Sequence, residues 1–295
     1  MQPLTIQQRW ILLAASLAVG LAFLDETAVV TALRAIQHDF SATSSEVQWV
    51  MAGYLLALAS FMAAAGRLAD LFGRRLLFLI GAVVFGVGSV ASAAAPSEEL
   101  LIAARVVQGT GGALLMPLGI ANATFALPDE RRGWVIGVVS TGATVFLALG
   151  PLIGGTLVVV AVWRWIFLVN LPVIAAILAI TVRSFPESRG SQGERLDGRG
   201  LALLVAGLVS LVLALLNMTD WGPTAPVTLA LLCGGAVLLV AFVVAEQRAS
   251  YPLIDLGLLR ISAVSGSLCA LFAIQFSILG LTRLSDALPP AGARL

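Results

Sequence analysis

About nine apolar stretches follow one another along this chain, near residues 11–33, 49–66, 76–95, 100–125, 134–160, 165–182, 200–219, 227–245 and 263–281. Each approaches the roughly 20 residues that carry a helix across a bilayer core. That succession leaves one fold class, an all-α integral membrane protein. Composition agrees: 11% of residues are charged and 59% are hydrophobic, with a mean hydropathy of +1.01, whereas soluble domains carry about 25% charge. A net charge of +1 gives no reason to expect a nucleic-acid partner.

The basic residues are all arginine. Arg9, Arg67, Arg74, Arg75, Arg131, Arg132, the arginines of the 183–199 segment, Arg248 and Arg260 fall on one side of the predicted spans, and Arg34 and Arg164 on the other. By the positive-inside rule the N-terminus is cytoplasmic and the protein is a multi-pass protein of the cell (inner or plasma) membrane. Trp10, Trp49, Trp134, Trp163, Trp165 and Trp221 all lie at predicted helix ends, where tryptophan prefers the interface. The first run is long enough to span and carries acids rather than a small-residue cleavage site towards its end, so no cleavable signal peptide is expected. Cys233 and Cys269 fall inside apolar runs and are expected to be free, buried thiols. His38, beside Asp39, reads as an exposed loop residue. No metal site, cofactor or nucleophile–base arrangement is expected, and no enzymatic activity.

Two acids, Asp25 and Glu26, interrupt the first apolar run, and Arg105 interrupts the fourth. Ionisable groups inside a bilayer are costly and point to function. Asp25 lies about 12 Å and Arg105 about 9 Å below the same surface, by the rise of an α-helix. An acid–arginine pair at one depth is therefore expected, either purely structural or functional. Glu26 points about 100° away from Asp25 on the helix. Between the second and third runs, Gly66 to Arg75 reads GRLADLFGRR. Physically this is a short, rigid, positively charged hairpin.

The stretch resembles the loop after the second helix in the major facilitator superfamily, with Gly66, Leu68, Asp70, Gly73, Arg74 and Arg75 on the motif positions and Arg67 among them. The fourth run, Leu101–Gly109, resembles the fourth-helix motif of superfamily exporters, whose arginine is implicated in proton transfer. Asp25, Thr27, Ala32 and Leu33 match the acidic first-helix motif of the fourteen-spanner drug/proton antiporters, the QacA/EmrB-like branch. Val30 stands where that motif has asparagine and Arg34 where it has proline. Gly142, Gly150, Pro151, Gly154 and Gly155 resemble the antiporter motif of the fifth helix. Pro151 bends a helix and the glycines admit a close neighbour, while Phe146, on a glycine position of the motif, is expected to restrict that approach. Trp163–Pro172 and the Leu196–Gly200 and Pro252–Leu256 stretches resemble the same branch.

The resemblance covers roughly residues 10–281. It implies a major facilitator fold: a six-helix N-terminal half at 1–183, a linker with two extra membrane helices and a loop at 184–262, and the first helix of an incomplete C-terminal half at 263–281. The remainder, 282–295, is an atypical tail. Arg283–Ala291 can be written in codons that, read one nucleotide later, encode an apolar Val-Tyr-Leu-Thr-Leu-Tyr-Leu-Gln, so a frameshifted or prematurely ended product is expected. The resemblance implies a proton-coupled antiporter exporting small amphipathic organic compounds by alternating access, with Asp25, Glu26 and Arg105 in proton coupling. Its partners would be the bilayer, protons, the substrate and a missing or separate C-terminal half. In relatives the Gly66–Arg75 loop is understood to latch the inward side against that half, which makes Asp70 the candidate for the gating contact. The alternative is a non-transporting remnant or a partner of an intact transporter.

Overall fold

A computed structural model describes residues 3–186, 197–249, 252–253 and 256–273. The first helix, α1 (Ile6–Phe40), starts at a capping box in which Thr5 and Gln8 satisfy each other's backbone N–H, and stops where Ser41 turns left-handed. It is longer than its apolar run because these polar caps lie outside the hydrocarbon. Next come α2 (Ser44–Phe72), α3 (Arg74–Ala94), α4 (Glu98–Phe125) and α5 (Arg132–Val160). The sixth span is two helices, α6 (Trp165–Leu168) and α7 (Asn170–Ser184), followed by α8 (Gly198–Trp221) and α9 (Pro226–Arg248). Among the described residues, eight of these spans are long and apolar enough to cross a bilayer. The predicted ninth span is described only through Ala273, as the short apolar helix Ser262–Ala273. This helix and the turn Leu256–Arg260 belong to a second compact unit beginning at Ile254. The tail 282–295 lies outside the described residues.

In the first unit the helices alternate in direction. Gln7 at the start of α1 donates to the carbonyl of Ser184 at the end of α7, and Gln8 donates to Ala126 just past α4. The starts of α1, α3 and α5 and the ends of α2, α4 and α7 therefore share one face, the one carrying Arg67, Arg74, Arg75, Arg131 and Arg132. α1 packs chiefly on α5, α2 and α3 each pack on α4, and α8 and α9 form a hairpin against α2. Backbones approach closely where side chains are absent: a methyl on Gly88 would lie 2.6 Å from the Gln108 backbone, and one on Gly109 would strike the Tyr54 carbonyl. Such small-residue contacts are how membrane helices gain van der Waals energy without a hydrophobic drive.

Three expectations change. Gly66–Arg75 is mostly helix: α2 runs to Phe72, the turn is Gly73 alone (φ 105°), and α3 begins at Arg74. Leucine and alanine favour helix, so only the residue that needs positive φ breaks it. Gly73→Ala is expected to cost about 1–3 kcal/mol, read as a lower melting temperature in detergent; an unchanged melting temperature would mean the turn relaxes freely. Cys233 and Cys269 are free but exposed on the protein surface, because an apolar helix in a bilayer is buried by lipid as readily as by protein. His38 is exposed, but in the last turn of α1 rather than in a loop.

Candidate functional site

Asp25 and Arg105 meet in the middle of the bundle. Arg105 Nη1 donates to Asp25 Oδ2, and both side chains are fully buried. The other carboxylate oxygen, Oδ1, accepts from Gln108 Nε2 at 2.7 Å and from Asn170 Nδ2 at 2.8 Å. Ser89 Oγ lies 2.9 Å and 3.2 Å from the same two amide nitrogens. Arg105 is held further by Gln108 Oε1 at 2.8 Å and by the Val50 carbonyl at 3.2 Å. Its guanidinium stacks 4.1 Å over the Tyr54 ring, and the Tyr54 hydroxyl donates to the Ala22 carbonyl. Five spans thus contribute to one polar cluster: α1, α2, α3, α4 and the broken sixth span.

Burying two ions costs several kcal/mol each unless attraction and further hydrogen bonds repay it. Here three donors surround one carboxylate. Local structure makes the cluster possible. Gly88 and Gly109 bring α3 and α2 against α4 on either side of Gln108, and the break at Val169 sets Asn170 at the start of α7, where it turns inward. Of these residues Asp25 and Arg105 stand out in the sequence as ions within apolar runs; Gln108 and Asn170 lie in Leu101–Gly109 and Trp163–Pro172, the stretches that resemble family motifs. Gln108 has a sequence signal, being polar and three residues from Arg105 on one helix face. Ser89, in Gly-Val-Gly-Ser-Val, has none. Glu26 stands outside the cluster, half-buried, on the α1 stripe of Val19, Phe23 and Val30. Its neighbours Val19 and Phe23 line a cavity of about 330 Å³ with Met116 and Ile120 of α4 and Ser140 and Thr144 of α5.

The fifth-span residues lie along α1. Gly142 faces Ser16, Gly150 faces Thr27 and the Leu24 carbonyl, and Gly154 faces Ala28 and Thr31. The spacing of four residues on both helices marks a parallel contact. Phe146 does not hold the helices apart: its ring covers Gly20, where an added methyl would lie 2.7 Å from Cγ. The ring is received because α1 has no side chain there. Gly155 meets nothing within 4 Å. Pro151 has no N–H, which leaves the Leu147 carbonyl without its helical donor. The Thr27 hydroxyl reaches that carbonyl at 3.2 Å while also lying 2.8 Å from the Phe23 carbonyl. Thr27→Val keeps the shape and removes the donor, so a loss of about 1 kcal/mol is expected. Thr27→Ser should retain parental stability in the same thermal melt; equal melting of both variants would show the contact to be idle.

On the arginine-rich face, Arg74 pairs with Asp70 at 3.4 Å, and Arg75 donates to the Val182 carbonyl at 2.7 Å. Arg67 Nε donates to the Pro252 carbonyl at 3.0 Å, and Leu253 is buried against Ala64 and Phe242. Gly66 has open space around it. On the opposite face Asp39 accepts from Arg164 at 2.8 Å and from the indole N–H of Trp163 at 3.0 Å. Trp163 is 4% exposed, so it is packed against protein rather than part of an aromatic belt.

Comparison with known proteins follows this architecture. The family model of the Major Facilitator Superfamily matches residues 15–294. The chain is 35% identical over 275 residues to the multidrug resistance protein Stp of Mycobacterium tuberculosis (strain CDC 1551 / Oshkosh), covering 93% of this chain and 51% of that protein. It is 35% identical over 272 residues to the tetracenomycin C resistance and export protein of Streptomyces glaucescens, covering 91% and 50%. The crystal structure of the POT family transporter PepTSo shares the fold, with a TM-score of 0.62 at 16% identity over 90% of this chain and 57% of that one. The chain spans about half the length of the curated relatives it matches. Fold and relatives are those of membrane transporters rather than enzymes, and the chain belongs to the major facilitator superfamily.

Proposed function

We propose that this polypeptide serves proton-coupled export of small amphipathic organic compounds, with its N-terminus in the cytoplasm of a cell whose inner or plasma membrane it spans. The observation that carries the reading is the buried Asp25–Arg105 pair, which joins α1 to α4 and is hydrogen-bonded to α2 through the Val50 carbonyl and to the sixth span through Asn170. A proton on Asp25 removes the countercharge of Arg105 and turns an acceptor into a donor. The cluster must then re-pair, and the helices it ties, α1 and α4, also wall the cavity beside α5. Phe23, Met116, Ile120 and Leu147 supply apolar surface there, with Ser140 and Thr144 as the polar contacts, which suits an amphipathic substrate. Glu26, on the stripe leading from that cavity, is proposed as the second acidic group. Relatives named for multidrug resistance and antibiotic export support the substrate class.

Alternating access rests on movement between two halves around such a site. In this reading Asp70 at the end of α2 and Arg74 at the start of α3 form one side of the inward latch, and the Gly142–Gly155 face of α5 is the antiporter-motif helix. The test is dye efflux in inverted membrane vesicles energised by a proton gradient. Efflux from the parent chain, lost in Asp25→Asn and in Arg105→Ala at equal expression, is the expected result. Vesicles that never concentrate dye would overturn it for this chain alone and favour a non-transporting chain that needs a second half from another polypeptide.

A further inference from the structure

We propose that Asn170 is the proton-state switch of the buried cluster: its side-chain amide reverses end for end when Asp25 takes a proton. This inference rests on the proton-coupling reading of Asp25 and adds the group that answers the proton. Asn170 Nδ2 donates to Asp25 Oδ1 at 2.8 Å and to Ser89 Oγ at 3.2 Å. The residue is 1% exposed, and its Oδ1 has no hydrogen-bond partner among the described residues. An asparagine amide carries two donors on nitrogen and two acceptor lone pairs on oxygen, so the chemistry of its neighbours sets its orientation. The reversed amide would put Oδ1 against a carboxylate oxygen, two acceptors in contact. That orientation is closed while Asp25 is ionised.

A proton on Asp25 Oδ1 inverts that rule, because the new O–H needs an acceptor in a place with no water. Three described side chains bond the carboxylate: Arg105, Gln108 and Asn170. Arginine is a donor only. The Gln108 oxygen is taken by Arg105 Nη1 at 2.8 Å, and turning that amide would set its nitrogen against the guanidinium. Asn170 can turn without opposing a cation. Its Oδ1 then accepts from Asp25 and from the Ser89 hydroxyl, the two oxygens that its nitrogen serves before the turn. Asn170 thus makes two hydrogen bonds in either orientation and leaves one end unpartnered in either, so the proton decides between them. The ionisable groups around Asp25 are Arg105 of α4, Tyr54 of α2 and the adjacent Glu26. No acid or base lies within 76–94 of α3, 133–160 of α5 or 165–182 of the sixth span, so the switch answers Asp25 alone on those sides. Asn170 is also the first residue of α7, directly after the break at Val169, so its reversal acts where the sixth span is already interrupted.

Infrared spectra of the full chain in phosphatidylcholine vesicles, recorded as the pH is lowered, read both partners, and no transport is required. Asp25 is read from the carbonyl band of its protonated carboxyl, which is missing in Asp25→Asn. Asn170 is read with asparagine carrying carbon-13 in its side-chain carbonyl, as the difference from Asn170→Leu. An unpartnered carbonyl absorbs at higher frequency than one that accepts two hydrogen bonds. The Asn170 band is therefore expected to move to lower frequency in step with the growth of the Asp25 band, and to stay fixed at every pH in Asp25→Asn. Should Asn170→Leu fail to fold, the pH difference spectrum of the labelled parent still shows or lacks the moving band. An Asn170 band that stays in place while the Asp25 band grows overturns the inference and leaves proton binding by Asp25 standing. If no Asp25 band grows at any pH at which the protein stays folded, the proton-coupling reading falls and this inference falls with it.

Discussion

Arg105→Ala is expected to destabilise the bundle by about 3–5 kcal/mol, the cost of stranding one partner of a buried ion pair. The Asp25 carboxylate would keep its two amide donors, at 2.7 and 2.8 Å, and lose its only countercharge. Asp25→Asn should cost less. Arg105 would retain the Val50 carbonyl, Gln108 Oε1 and the face of Tyr54, and an asparagine oxygen can still accept one hydrogen bond. The double variant Asp25→Asn/Arg105→Ala, which buries no charge, should recover a large part of the loss. The coupling from the cycle is then expected near the top of the roughly 0.5–3 kcal/mol range for contacting residues. Melting temperatures of the four proteins in detergent give the cycle. A double variant that melts at the sum of the single losses would mean that the pair carries no mutual energy, and the cluster would be a set of separate hydrogen bonds. Efflux distinguishes the roles: a purely structural pair allows transport to return with stability in the double variant, whereas a proton-coupling pair does not.

Why was part of this cluster legible in the sequence and part not? Counting residues along two apolar runs was enough to put Asp25 and Arg105 at one depth, because helical rise is constant. Their angular positions are a different matter. Whether Arg105 meets α1 or lipid depends on Gly88 and Gly109 letting α3 and α2 close on α4, which is a property of the packed bundle. Ser89 and Asn170 approach Asp25 from two further spans, and a lone serine in an apolar run ordinarily bonds its own preceding turn. Nothing local marks the exception. Span limits failed for a similar reason. Apolar runs report the hydrocarbon, while helices end at caps such as Thr5, Ser41 and Gly73. The same limitation explains Cys233: hydropathy identifies residues that avoid water without saying whether lipid or protein covers them.

The α1–α5 seam gives the sharpest steric prediction, because two glycines of one motif should behave oppositely. Gly150→Val is expected to prevent native packing. Its Cβ alone would fall on the Thr27 hydroxyl and 2.8 Å from the Thr27 Cβ, and that carbon is fixed to the α1 backbone and cannot rotate away. Rotation of Thr27 would also release the Leu147 carbonyl that Pro151 leaves without a donor. Overpacking a core costs about 1–3 kcal/mol when side chains can yield; with a carbon fixed to the backbone as the obstacle the loss should reach or pass that upper limit. Gly155→Val, five residues further along α5, meets nothing within 4 Å among the described residues. It removes a helix-destabilising glycine and should leave the melting temperature of this chain unchanged or slightly raised. Thermal unfolding of both variants in one detergent is the measurement. Equal losses would mean that the two glycines are needed for backbone flexibility at Pro151, since flexibility would not distinguish a crowded position from an open one. Loss at Gly150 alone would identify the motif's work in this chain as close approach, with Thr27 as the residue that both fills the seam and serves the bent helix beside it.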